Sequence, residues 1–216
     1  MDGVLVDVTE SYREAIVRTA RCFAGVAVSR ERIQEYKLRG GFNDDWALTQ
    51  RILADYGVTV PYETVRTRFQ ELFLGSGGDG LILRERWVAQ PGALERLSAR
   101  FRFAIFTGRP RVEAFLTLRR CAGDLVFDPV IAMEDVMKSK PDPEGLERLK
   151  AESPEGIVYV GDTVDDARCA RAAGVPFIGV AASAGPMQDE LAKLLRAEGA
   201  RAVIEDVNRL EEALGI

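Results

Sequence analysis

Ile157-Val158-Tyr159-Val160-Gly161-Asp162-Thr163-Val164-Asp165-Asp166 is the stretch on which the fold of this chain turns. Four apolar residues run without polar alternation, as in a parallel strand buried on both faces, and then break into glycine, acids and a hydroxyl. The same texture recurs at Phe103-Ala104-Ile105-Phe106, Val130-Ile131-Ala132, Phe177-Ile178-Gly179-Val180 and Ala202-Val203-Ile204, with helical stretches such as residues 111–120 and 144–151 between the runs. Short apolar runs joined by helical crossovers predict an α/β protein with a doubly wound parallel sheet. In such sheets ligands bind just beyond the carboxyl ends of the strands.

Three strand ends carry reactive side chains. Thr107-Gly108-Arg109 follows the run at 103–106, Lys140 lies in the loop that leaves 130–132, and Asp162, Asp165 and Asp166 follow 157–160. Each also has a plainer reading: Thr107 as a helix cap before Pro110, Lys140 as a solvated loop charge, Asp162 and Asp166 as a cap and first-turn acids favoured by the helix dipole. Lys138 is a solvated loop residue and a weaker substitute for Lys140.

Between residues 9 and 87 the periodicity changes. Ala15, Ile16, Thr19, Ala20 and Phe23 recur at helical spacing, and Trp46, Ile52, Leu53, Val65, Phe69, Leu72 and Phe73 mark further helices, with no strand pattern among them. Gly75-Ser76-Gly77-Gly78-Asp79-Gly80 reads as a loop near a lobe boundary, because it lacks the Lys-Ser/Thr ending of a phosphate-cradling P-loop. The predicted division is an α/β core from residues 1–8 and 88–216, with a small α-helical cap from residues 9–87.

Composition narrows the chemistry. The 216 residues are 47% hydrophobic and 29% charged, the balance of a soluble globular protein, and none is histidine. That excludes a Ser-His-Asp triad, a Cys-His pair and an HExxH zinc centre, and leaves carboxylates, lysine, hydroxyls or a metal held by oxygen. A net charge of −5 argues against nucleic acid or an anionic membrane surface as partner and for a small molecule. Cys22, Cys121 and Cys169 form no metal or disulfide spacing, and no signal-like or membrane-spanning run is present, so a cytoplasmic monomer or homodimer is expected.

Read in order, Met1-Asp2-Gly3-Val4-Leu5, Thr107-Gly108-Arg109, Lys140-Pro141-Asp142-Pro143 and Gly161-Asp162-Thr163-Val164-Asp165-Asp166 resemble the four motifs of the haloacid dehalogenase-like (HAD) hydrolase superfamily. The helical segment resembles the cap of the subgroup that includes phosphoglycolate phosphatase and β-phosphoglucomutase. The resemblance implies a HAD-like Rossmannoid core and a Mg2+-dependent phosphatase of a small phosphorylated metabolite, working through an aspartyl-phosphate. Asp2, Thr107 and Lys140 would be catalytic. Metal would be held by the Asp2 carbonyl and Asp162, with Asp166 as ligand or water-orienting neighbour. Gly108 and Arg109, with Arg39 and Asn43 from the cap segment 38–46, would bind substrate. The physics agrees: phosphoryl transfer needs positioning and charge neutralisation, and magnesium prefers oxygen ligands. An acid at position 2 favours a phosphatase over a dehalogenase, since a phosphate ester's leaving group needs a proton.

The first motif departs from the pattern. The family sequence is Asp-x-Asp-Gly; Asp2 matches its second Asp, which places the attacking carboxylate, and the apolar strand leading into it, ahead of Met1. Three accounts are open: a coding start placed at an internal Met, a pseudoenzyme that binds a phosphate ligand without turnover, or a rearranged N-terminus in which Asp7 attacks. The first is preferred, and Asp7 is expected instead to cap the helix beginning near Ser11. A phosphomutase is the alternative enzyme.

Overall fold

The computed structural model describes residues 1–183 and 185–216. They form two compact units, Met1–Val6 with Trp87–Ile216 and Asp7–Arg86. The chain passes between them through strand β1 (Val6–Asp7) and, on its return, strand β2 (Arg86–Trp87), which pair with each other.

The unit Asp7–Arg86 is helical. Helix α1 (Tyr12–Ala24) buries Tyr12, Ala15, Ile16, Thr19 and Ala20 along one stripe and stops at Gly25, whose φ of 66° is the left-handed turn that ends a helix. Helix α2 (Arg30–Arg39) is capped by Ser29, whose side chain accepts from the Arg32 amide. Helix α3 (Asp45–Asp55) is capped by Asp44, which accepts from Trp46 and Ala47 N–H, and it buries Trp46, Ile52 and Leu53. Helix α4 (Tyr62–Leu74) buries Val65, Phe69 and Phe73 at four-residue spacing. Aromatic rings knit the helices: Tyr12 lies 4.2 Å from Phe73, and Trp46 meets Phe69 edge-on at 6.5 Å. Truncating the fully buried Phe69 to Ala removes ring burial and leaves a cavity, a change that costs about 3–5 kcal/mol.

Asp7 does not cap α1, contrary to expectation. Its carboxylate turns to the Thr9 amide at 2.9 Å and to Arg86, and Ser11 occupies the cap position without a side-chain cap bond. The Asp has a nearer N–H two residues on, the favoured geometry of an Asx turn.

The other unit alternates strand and helix: α5 (Ala93–Ser98), β3 (Phe103–Phe106), α6 (Arg111–Cys121), β4 (Phe127–Ile131), α7 (Glu144–Ala151), β5 (Tyr159–Gly161), α8 (Val164–Ala173), β6 (Phe177–Val180), α9 (Gln188–Ala197), β7 (Ala202–Ile204) and α10 (Leu210–Leu214). All pairings from β3 onward are parallel, as the apolar runs require. Glycines let helices approach the strands: a Cβ on Gly179 of β6 would lie 2.8 Å from Leu195 of α9, and one on Gly145 of α7 would lie 2.5 Å from the Phe106 ring. No helix among the described residues is long and apolar enough to cross a membrane.

The strands form two groups, β3–β4 and β5–β6–β7. Among the described residues no strand pairs with the second edge of β3 or of β5, although the Phe106 and Tyr159 rings come within 6.4 Å. Residues 1–6 are coiled rather than extended: the Met1 carbonyl accepts from the amides of Leu5 and Val6 at 2.8 and 3.2 Å.

Candidate active site

Contacts within the α/β unit link the four segments singled out in the sequence. Gly3, at φ +63°, lies so close to Asp162 that an added Cβ would fall 1.9 Å from its Oδ2. Arg109 joins the first segment to the second: its Nε donates to Asp2 Oδ1 at 2.6 Å, and a terminal nitrogen lies 2.5 Å from the same oxygen. Lys140 joins the third to the fourth, with Nζ 2.7 Å from Asp166 Oδ1.

Local structure fixes each side chain. Thr107 and Gly108 sit in the loop between β3 and α6, whose first amide, that of Arg111, donates to the Glu134 carboxylate at 3.0 Å. Thr107 is buried, its amide donates to the Ile131 carbonyl of β4, and its hydroxyl accepts from the Arg109 amide at 3.2 Å. The loop carrying Lys140 is tied down by Glu144, which accepts from the Met137 amide at 2.8 Å, and by Arg148, which donates to the Asp135 carbonyl. Asp162 directly follows β5, and Thr163 caps α8 in a capping box with Asp166: the Asp166 amide donates to Thr163 Oγ1 at 3.0 Å, and the Thr163 amide donates to Asp166 Oδ2 at 3.1 Å.

The charges are strongly coupled. Burial alone would raise the pKa of Asp166, but the Lys140 ammonium and its hydrogen bond, helped by Tyr159 and Thr163, hold the carboxyl well below the usual range. Burial would likewise lower Lys140, yet Asp166 keeps its pKa well above the ordinary lysine value. Asp2 follows the same pattern: burial pushes up, while the charge and hydrogen bond of Arg109 prevail and hold it below the carboxylate norm. Cys169, in α8, is buried; desolvation pushes its thiol up to about 12, which makes it unreactive.

Two residues stand differently from their expected use. Arg109, expected to bind substrate, has a side chain only 1% exposed that reaches Asp2 and, at 3.0 Å, the Thr117 hydroxyl of α6. Asp166 has both carboxylate oxygens engaged by Lys140, Tyr159 and Thr163, the arrangement of a positioning group rather than of an open ligand. Arg39 and Asn43 belong to the helical unit, where Arg39 lies over the Tyr36 ring at 5.2 Å and Asn43 precedes the cap of α3. Sequence reasoning missed Tyr159, whose hydroxyl meets both Lys140 and Asp166. The available signal was an aromatic with a polar tip in an otherwise aliphatic run, two residues from Gly161 and therefore on the same strand face.

The sequence profile of the haloacid dehalogenase-like hydrolases matches residues 1–174. The chain belongs to that family. Among its relatives, a protein of Phytophthora nicotianae named imidazoleglycerol-phosphate dehydratase is 39% identical over 190 residues, covering 83% of this chain but only 42% of that protein's own length. A phosphorylated carbohydrates phosphatase of Thermotoga maritima is 29% identical over 188 residues, covering 82% of this chain and 81% of that one. The fold matches the crystal structure of a putative β-phosphoglucomutase from Thermotoga maritima with a TM-score of 0.65 at 24% identity, covering 100% of this chain and 95% of that one. This HAD chain therefore has the parallel α/β fold with helical cap expected from its motifs.

Proposed function

We propose that the chain is a magnesium-dependent phosphatase of a small phosphomonoester. The carrying observation is the set of contacts Gly3 to Asp162, Asp2 to Arg109 and Lys140 to Asp166, which draws all four motif segments into one cluster of opposite charges. Such a cluster suits a phosphoryl group, whose transfer depends on neutralising charge around an in-line attack. The Thr107 hydroxyl and the Gly108 amide, in the loop that follows β3, bind phosphate oxygens, and Lys140 supplies the cation. In this reading an aspartate one position ahead of Met1 attacks phosphorus and the ester oxygen departs with a proton from solvent, since Arg109 keeps Asp2 ionised and ready to act as a base. Water then releases phosphate from the aspartyl-phosphate, giving its proton to Asp2.

The donors fit magnesium. Asp162 and the Asp2 carbonyl are hard oxygen ligands, and glycine at position 3 keeps clear the space beside the Asp162 carboxylate that any Cβ would fill. Bound there, the ion would neutralise charge on the phosphoryl oxygens. Asp166 orients Lys140. The relative named above as a phosphorylated carbohydrates phosphatase supports phosphate-ester chemistry.

The test is a screen of phosphomonoesters with two chains, this one and one extended by its upstream codons. Phosphate release by the extended chain alone is expected. Equal release by both would remove the assignment of the attacking residue, and conversion of a phosphosugar to its isomer would make the enzyme a mutase. Asp162→Ala in the active chain should abolish magnesium-dependent turnover; undiminished turnover takes Asp162 out of the metal site.

A further inference from the structure

Tyr159, in β5, has no part in the motifs, yet it completes the surroundings of Lys140. Its hydroxyl accepts from Lys140 Nζ at 3.1 Å and donates to Asp166 Oδ1 at 2.6 Å, and Nζ is 2.7 Å from that same oxygen. The three polar atoms close a triangle between the half-buried Tyr159 and the buried Lys140 and Asp166, at 8% and 3% exposure. An ammonium has three N–H donors; Asp166 and Tyr159 take two. The face of Phe106, with its centroid 5.2 Å from Nζ, flanks the ammonium and closes off a further direction by cation–π contact.

We propose that Tyr159 is a positioning residue that aims the third N–H of Lys140 at the phosphate of the substrate. The inference rests on the reading of Lys140 as the phosphate-binding cation. Without the hydroxyl, Lys140 has a single fixed partner and two uncommitted donors, so the ammonium can rotate about its bond to Asp166 and lose its aim. With the hydroxyl, the geometry is set before ligand arrives, which is the condition under which a charged hydrogen bond contributes most to binding. The ring of Tyr159 also packs beside Phe177 at 6.0 Å, so a phenylalanine there keeps the packing and removes only the hydrogen bonds.

The experiment titrates inorganic phosphate into the wild type, Tyr159→Phe and Lys140→Ala by calorimetry, with thermal unfolding run in parallel. Tyr159→Phe is expected to bind phosphate about tenfold more weakly while remaining folded, and Lys140→Ala to lose binding. Wild-type affinity in Tyr159→Phe, with binding lost in Lys140→Ala, overturns the role of Tyr159 and leaves that of Lys140 standing. No phosphate binding by the wild type, or unchanged binding by Lys140→Ala, overturns the reading of Lys140 and this inference with it. A second measurement needs no variant: the wild-type Lys140 ammonium should give a slowly exchanging 15N signal that moves when phosphate is added. A Lys140 ammonium that exchanges with water as fast as a surface lysine overturns the proposal.

Discussion

Replacing Lys140 by methionine keeps most of an unbranched side chain and removes only the ammonium, which leaves Asp166 as a buried carboxylate without its cation. The pair is almost fully enclosed, with side-chain exposures of 8% and 4%, so solvent cannot take over the lost partner. Breaking one side of a buried pair costs about 3–5 kcal/mol. Asp166 still accepts from the Tyr159 hydroxyl and from the amide and hydroxyl of Thr163, which favours the lower end, about 3 kcal/mol. For a chain of this size that corresponds to a fall of about 6–12 °C in Tm. The pH dependence follows from the depressed pKa of Asp166: its stabilisation is full above the unfolded carboxylate value near about 4 and is lost as pH falls through the lower folded value. The gap between wild type and Lys140→Met should therefore be widest at neutral pH and narrow below about pH 4. Urea unfolding in EDTA at pH 7 and at acid pH measures both quantities. A loss under about 1 kcal/mol at pH 7, or a gap that does not change with pH, would refute the account of Lys140 and Asp166 as a mutually dependent buried pair.

Three further outcomes are expected. Gly3→Ala puts a Cβ 1.9 Å from Asp162 Oδ2 at a φ of +63°, so it should displace that carboxylate and weaken magnesium binding at least about tenfold by calorimetry; unchanged affinity would separate Gly3 from the metal site. In Arg109→Met, Asp2 loses the guanidinium that keeps it ionised, so its 13C-carboxylate titration should move to higher pH; a midpoint equal to the wild type's would refute the clamp. Ellman's reagent at mildly alkaline pH should label exposed Cys22 first and spare buried Cys169 until unfolding; rapid labelling of Cys169 in the folded protein would contradict its enclosure.

Much of the α/β unit was legible because short apolar runs have few other uses. The runs at 103–106, 177–180 and 202–204 are β3, β6 and β7, and Asp44 and Trp46 take the cap and core positions that the polar and aromatic types suggest. Strand β4 begins at Phe127, three residues before its apolar run, because the Phe127 ring stacks on Phe103 at 5.5 Å and draws the chain into register. Its pairs Phe103 with Phe127 and Ile105 with Val130 span one more residue on β4 than on β3, a shift that accommodates Pro129, which has no N–H for the ladder. Strand β5 begins later than its apolar run: pairing starts at Tyr159 with Phe177, and Val158 is 45% exposed. Residue type and order pointed to Lys140, Asp162 and Thr107 as candidates. The inward turn of Arg109 and the closure of Tyr159 on Lys140 depend on neighbours far away in sequence, and no local pattern encodes them.

The division of the strands into β3–β4 and β5–β6–β7 bears on how the protein behaves at high concentration. An edge without a strand partner is a row of N–H and C=O groups, and these can be satisfied by the backbone of another molecule. Edges of antiparallel sheets are commonly blunted by charge or proline, but β3 and β5 have the uncharged sequences Phe-Ala-Ile-Phe and Tyr-Val-Gly of interior strands. Among the described residues, the facing edges of β3 and β5 are thus templates on which an extended segment can pair.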